Sequence, residues 1–416
     1  MNKTIKLLAL CLAVIACRAS LAEQSGRPEE LALANFQFAP VNRWAFSHMR
    51  EVVPTANIDN DHRRVLELAR GDGCVMDFSV PFEGRERTID EIAASEYLDG
   101  LLVIKDGRIV FEKYYGHLTE SRPHLMNSVS KSVLGLLAGR LAADGVIDLE
   151  KPVSHYVPAL AQSGWGPDSL RTLLDMRDGA DYTEDYPDFT TTFRIQDCAI
   201  GWTDADYCPK DLPRGGYNFL PTIGRDEANL GKFHYKSGST SVIGWVMEEA
   251  TGRPLAELIS AYIWKPMGAE FDANITVDAS GFALGDHGMS STLRDLGRFG
   301  LLVLNKGRAF GEQVIPADFI EDIHAQPPSP DWPYPDWPSP SADGKGPFYR
   351  SYWWGKGNDE RDILGYGIHG QTVRVAPVAG IVIALYSTWP RADGDGEQDY
   401  WNRNDDLTDA IVARFR

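Results

Sequence analysis

"MNSVSKSVLGLLAGRLAADG", residues 126–145, is the stretch on which the reading of this chain turns. Apolar residues recur at helical spacing from Val129 to Leu141, and Gly145 supplies a stop signal. At the start of the run stands Ser128-Val129-Ser130-Lys131, the only Ser-x-x-Lys in the sequence. Positions i and i+3 share a helix face, so the Lys131 amine is within reach of the Ser128 hydroxyl. A serine hydroxyl attacks well only when a neighbour takes its proton, and a lysine can do so when burial lowers its pKa. The positive end of the helix would also favour an oxyanion formed there. Two fixed positions match by chance about once in a chain of this length. The competing reading is therefore a plain helix start, with Ser128 or Ser130 as N-cap and Lys131 in solvent.

Just upstream, "LLVIKDGRIVFEKYY" (101–115) places two apolar runs around Asp106-Gly107, a strong hairpin signal. Downstream, "STSVIGWVMEEATG" and "PLAELISAYIWKPMG" read as amphipathic helices, each closed by a glycine. "TVRVAPVAGIVIALYST" returns to strand pattern with a turn at Pro377 to Gly380, and a last helix runs from Leu407 to Phe415. Strands at both ends with helices between predict an α+β fold. One mostly antiparallel sheet is built from both ends of the chain, flanked by helices, with a helical lobe inserted over about 145–310. Residues 23–95 read as an extension packed on a main domain spanning 96–416. The Asp-Trp-Pro repeat in "QPPSPDWPYPDWPSP" (326–340) fits neither helix nor central strand and reads as an exposed loop.

The formal charge of −18 argues against nucleic acid or anionic lipid as the main partner. Residues 1–22 combine Lys3 and Lys6, an apolar run from Leu7 to Ala16 and an A-x-A-like Ser20-Leu21-Ala22, the pattern of an export signal. A lipoprotein-type box ending at Cys17 is the alternative, which would leave a lipid-anchored form. No later segment is long and apolar enough to span a membrane. Export, to the periplasm or beyond, would place Cys198 and Cys208 in an oxidising compartment where they could pair, although free thiols at Cys74, Cys198 and Cys208 remain the alternative. No metal-binding spacing occurs, so no metal and no cofactor is expected.

A second element, Tyr235-Lys236-Ser237, directly precedes a long amphipathic helix, unlike the similar tripeptides at Tyr349 and Tyr400. Ser-x-x-Lys followed by Tyr-x-Ser resembles the serine β-lactamase and penicillin-binding-protein superfamily. The resemblance points to the branch of class C enzymes, related esterases and 6-aminohexanoate-dimer hydrolases. "EEATGRP", Pro266-Met267-Gly268, "LLDMRDGADYTEDY" (173–186) and "GMSSTLRDLGRFG" (288–300) continue the match, and "NRWAFSHMREVVPTA" (42–56) with Glu184-Asp185-Tyr186 favours the 6-aminohexanoate-dimer branch. The resemblance implies Ser128 as nucleophile, Lys131 and Tyr235 as proton carriers, and Ser237 as part of the substrate site. It also implies that the N–H groups of Ser128 and Ile368 form the oxyanion hole, with His369 or Gly370 next in register. Tyr186 would donate to a leaving nitrogen, Asp197 would pair with a substrate ammonium, and His287 would lie beside the acyl site.

One departure is clear. The late strand "GYGIHGQTVRVAP" (365–377) has glycine or tyrosine where β-lactamases carry the carboxylate-binding lysine of Lys-Thr/Ser-Gly. Lys236-Ser237-Gly238 has that spelling, but it overlaps the tyrosine motif and precedes a helix. The expected substrate is thus a small-molecule ester or linear amide rather than a β-lactam. A DD-peptidase or β-lactamase is the rival within the enzyme class, and a non-catalytic peptidoglycan- or partner-binding module is the rival outside it. No Gly-x-Ser-x-Gly elbow, His-Glu-x-x-His or Gly-x-Gly-x-x-Gly loop is present to support another class.

Overall fold

A computed structural model describes residues 26–325, 329, 331–332, 345–393 and 399–416. The export-signal segment and Cys17 lie outside these residues, as does most of the Asp-Trp-Pro stretch. Asp106-Gly107 turns the strand Leu98–Lys105 into Arg108–Tyr114, with positive φ at both turn residues, as a tight two-residue hairpin requires. Beside Leu98–Lys105 lies Ile381–Ser387, followed by Gln371–Ala376, Ile363–Gly367, Trp353–Gly355 and Phe348–Arg350, all antiparallel neighbours in one seven-stranded sheet. The sheet is thus built from both ends of the chain.

Its central strands are buried almost throughout rather than alternating, because both faces are covered. Leu101, Val103, Ile381, Ile383 and Leu385 pack with Ile89 and Ile92 of helix Ile89–Ser95 and with Leu407, Ile411 and Val412 of the C-terminal helix. Leu102, Ile104, Val373, Val382 and Ala384 point the other way, into the larger core shared with the helical lobe. Helix Leu293–Leu304 lies on that face, and a Cβ at Gly300 would come within 2.4 Å of Val382, so only glycine permits this approach.

The helix of the opening stretch, Val129–Ala143, is not amphipathic. Almost every residue from Val129 to Leu141 is buried, the mark of a helix running through a core. Leu134, Leu136, Leu137 and Leu141 are fully covered, each contributing on the order of 1.5–3 kcal/mol of burial. It packs between helix Ser237–Thr251 and strand Ile363–Gly367. Gly252 and Gly268 end their segments in the left-handed conformation, as glycine C-caps do. The segment before Gly268 is broken by a π-helical turn at Ser260–Trp264.

Within the N-terminal extension, Thr55–Ile58 pairs with Ala273–Thr276 in a four-stranded sheet that continues through Met289–Ser291 to His124–Leu125. That pairing also puts strands inside the lobe read as helical. The final helix begins at Tyr400, not Leu407, because the Asp399 side chain accepts from the Asn402 N–H and caps an earlier start.

Cys198 and Cys208 form a disulfide with Cα atoms 5.5 Å apart, and Cys74 is free. Closing a loop of this length is worth about 3 kcal/mol through the unfolded chain. Cys208→Ser should lower the urea-unfolding free energy by roughly 2–3 kcal/mol. An unchanged midpoint would show that the bond adds nothing to the folded state.

Candidate active site

Ser128 lies at the N-terminus of the buried helix, yet its side chain makes no capping bond. Its Oγ instead accepts from Lys131 Nζ at 2.8 Å. The same ammonium donates to the Asp286 carbonyl, also at 2.8 Å. Ser130 is occupied otherwise: its Oγ donates to the Asn127 carbonyl at 2.6 Å and accepts from the Met289 N–H at 3.2 Å. This decides the opening ambiguity, since the Ser128 side chain faces the lysine rather than capping the helix. Lys131 is 1 % exposed. Burial pushes its pKa below the ordinary lysine value, partly opposed by the carboxylates of Glu184, Asp286 and Asp197.

Tyr235 immediately precedes helix Ser237–Thr251, and the Lys131 ammonium sits 5.0 Å from the centre of its ring. Trp354 stacks on the Tyr235 ring itself, with ring centres 5.3 Å apart. Lys236, between Tyr235 and Ser237, turns away from the site. Its ammonium is fully buried against the Asp178 carboxylate at 3.1 Å. Lys236 is accordingly not among the described residues that line the cavity at Ser128.

The turn after strand Ile363–Gly367 carries Ile368 up to Ser128. A Cβ on Gly367 would lie 3.0 Å from the Ser128 nitrogen and 2.6 Å from the Met126 carbonyl oxygen. Asn127, held at φ +45°, donates from Nδ2 to the Ile368 carbonyl at 2.8 Å and ties the two turns together. Among the described residues, no acceptor takes the N–H of Ser128 or of Ile368. His369 is occupied: its N–H donates to the Ala392 carbonyl, and its ring nitrogen is 2.7 Å from the Trp389 carbonyl oxygen.

Ser128, Tyr235 and Ile368 open onto one cavity of about 180 Å³, with Tyr186 in its wall. The rest of its described lining is Trp354, Tyr366, Asp399, Trp401, Asn402 and Asp405. Three expected residues lie elsewhere. Ser237 is fully buried, its N–H and Oγ both donating to Glu184 at 2.7 and 2.9 Å. Asp197 is also fully buried, 3.5 Å from His287 and 3.9 Å from Arg194, so it is not placed to meet a substrate ammonium. His287 lies behind Lys131, its Nδ1 2.9 Å from the Asp286 carboxylate and its ring edge-on to Trp202. These readings followed position along the chain; Asp197 lies on the buried side of helix Thr192–Ile200, and His287 turns toward it and Asp286.

Burial raises the Asp197 pKa to about 7, against the pull of His287 and Arg194. For His287, burial works downward, but Asp286 and Asp197 outweigh it and hold the imidazole above its ordinary value. The result is a buried layer of paired charges beneath Lys131. Glu184, quoted in the sequence only as part of a family pattern, accepts from the Tyr186 hydroxyl at 2.9 Å as well as from Ser237. It thus links the cavity wall to the start of the Tyr235 helix. The cavity residues of the C-terminal helix and its cap, Asp399 to Asp405, lie far along the chain from Ser128 and carried no local sequence signal.

A serine and a buried amine on the first turn of a central helix, beside an antiparallel sheet, define a Ser-x-x-Lys site on a β-lactamase/DD-peptidase-like fold. The chain belongs to the β-lactamase family, whose pattern matches residues 86–408, and is a hydrolase of that family. It is 34 % identical over 367 residues to the 6-aminohexanoate-dimer hydrolase of Paenarthrobacter ureafaciens, covering 88 % of this chain and 90 % of the relative. A solved Bacillus anthracis structure of the same description superposes with a TM-score of 0.81 at 26 % identity, over 93 % of this chain and 99 % of that one. A class C β-lactamase from Rhodobacter sphaeroides shares the fold, with a TM-score of 0.52 at 15 % identity over 79 % of this chain and 98 % of its own.

Proposed function

We propose that this protein is a serine hydrolase that cleaves a small ester or linear amide through an acyl-enzyme, with Ser128 as the nucleophile. The observation that carries the reading is the 2.8 Å contact between Lys131 Nζ and Ser128 Oγ, made by a lysine whose burial favours the neutral amine. In that form Lys131 takes the Ser128 proton as Oγ bonds to the substrate carbonyl carbon. The carbonyl oxygen becomes an oxyanion that accepts from the N–H groups of Ser128 and Ile368. Tyr235, beside Lys131, hands a proton to the departing oxygen or nitrogen as that bond breaks and takes one back from the Lys131 ammonium, which returns to the neutral amine. Water then attacks the acyl carbon by the same route and frees Ser128.

The relatives at 34 % and 26 % identity, both described as 6-aminohexanoate-dimer hydrolases, support a linear amide as one substrate type. The absence of a cation from the described cavity lining speaks against the β-lactam carboxylate. A pure binding module has no use for a nucleophile so closely paired with a buried amine. We also propose export, supported by the basic-then-apolar first residues and by the Cys198–Cys208 bond.

The test is intact-protein mass spectrometry after treatment with a fluorophosphonate. Wild type should gain one phosphonyl group, and Ser128→Ala should gain none. A folded wild type that stays unlabelled, or a Ser128→Ala protein that labels equally, would overturn the assignment.

A further inference from the structure

The polarity of the cavity is the reverse of what a carboxylate-binding member of this fold presents. At the strand where β-lactamases place a lysine, this chain has Gly365-Tyr366-Gly367, and the Tyr366 hydroxyl is bonded to the Asp405 carboxylate. Asp405 and Asp399 both line the cavity, along with Trp401 and Asn402, all from the first turns of the C-terminal helix or its cap. Among the described lining residues none is Lys, Arg or His.

The two acids differ. Asp405 is largely covered, and Lys356 lies 3.6 Å away, so its charge is compensated. Asp399 is exposed, accepts only from the N–H and side chain of Asn402, and has no ion pair among the described residues. The remaining walls are the rings of Tyr235, Trp354, Tyr366 and Trp401, whose faces attract cations. One such ring already faces the Lys131 nitrogen at 5.0 Å. The nucleophile opens into this same cavity, so whatever is hydrolysed must rest against that wall.

We infer that Asp399 selects substrates by charge, turning away those that end in a carboxylate and favouring those that are neutral or end in an ammonium. This rests on the serine-hydrolase reading and adds to it the residue that discriminates. An anionic end would meet the Asp399 carboxylate with no cation in the described lining to offset the repulsion. An ammonium would gain both the carboxylate and the aromatic faces.

The experiment compares kcat/KM for p-nitrophenyl esters of equal acyl length ending in methyl, ammonium or carboxylate. Wild type should prefer the ammonium ester to the carboxylate ester by about tenfold or more, with the ratio shrinking as salt rises. Asp399→Asn keeps a good helix cap and should bring that ratio close to one, while Asp399→Lys should reverse it. A second measurement needs no chemistry: calorimetric binding of hexylammonium and hexanoate to the wild type and to Asp399→Asn. Hexylammonium should bind the wild type more tightly, and the variant should lose the difference. Equal binding of the two, or a preference that survives both substitutions, would overturn the inference. Charge-selective binding without Ser128-dependent turnover would instead count against the serine-hydrolase reading alone.

Discussion

Lys131→Met should lower kcat for a good ester by about 10²–10⁴-fold, the range expected for loss of a positioned proton acceptor. Methionine keeps the length and apolar stem of the buried side chain, so the core should stay filled and the helix intact. The pH profile separates a catalytic loss from a structural one. Only the neutral amine accepts the Ser128 proton, so wild-type kcat/KM should rise with pH through the Lys131 pKa. Burial lowers that pKa from 10.5, which brings the rising limb down from the alkaline position of a free lysine. The limb should vanish from the residual activity of Lys131→Met. A variant that retains activity within tenfold, or that keeps the same limb, would show that the proton goes elsewhere.

Gly367→Ala is the second large effect expected, and it arises from a methyl group that has no room. Gly367 does not need a positive φ, so the backbone tolerates alanine. The new Cβ would sit 3.0 Å from the Ser128 nitrogen and 2.6 Å from the Met126 carbonyl oxygen. Either the 126–128 turn or the Ile368 turn must move, and with it one of the two N–H groups assigned to the oxyanion. Loss of one such donor typically costs about 10²–10³ in kcat. Steady-state kinetics with a thermal melt would check this: kcat should fall far more than KM changes, with the fold retained. A Gly367→Ala enzyme at full kcat would remove Ser128 and Ile368 from the oxyanion role.

The parts of the site legible beforehand were those carried by short-range geometry. Ser128 and Lys131 are three residues apart, and the helix alone brings them together. Asp106-Gly107, Gly252 and Gly268 act within a few residues of backbone, and each ended or turned its element as read. Asp197, His287 and Ser237 show the limit. Each lies where position along the chain suggested a pocket, but a side chain's direction depends on what packs against its element. Asp197 and His287 turned inward as a buried pair, and Ser237 turned to Glu184.

The sequence by itself determined the Ser128–Lys131 helix, the two-ended sheet and the family pattern, because periodicity, turn chemistry and i,i+3 spacing are properties of neighbouring residues. Only the tertiary structure decided that Lys131 is buried, that Ile368 reaches Ser128, and that Asp399, Trp401 and Asp405 wall the cavity. Those facts arise from contacts between segments hundreds of residues apart, where desolvation and packing, rather than local propensity, set both the pKa of the lysine and the charge of the pocket.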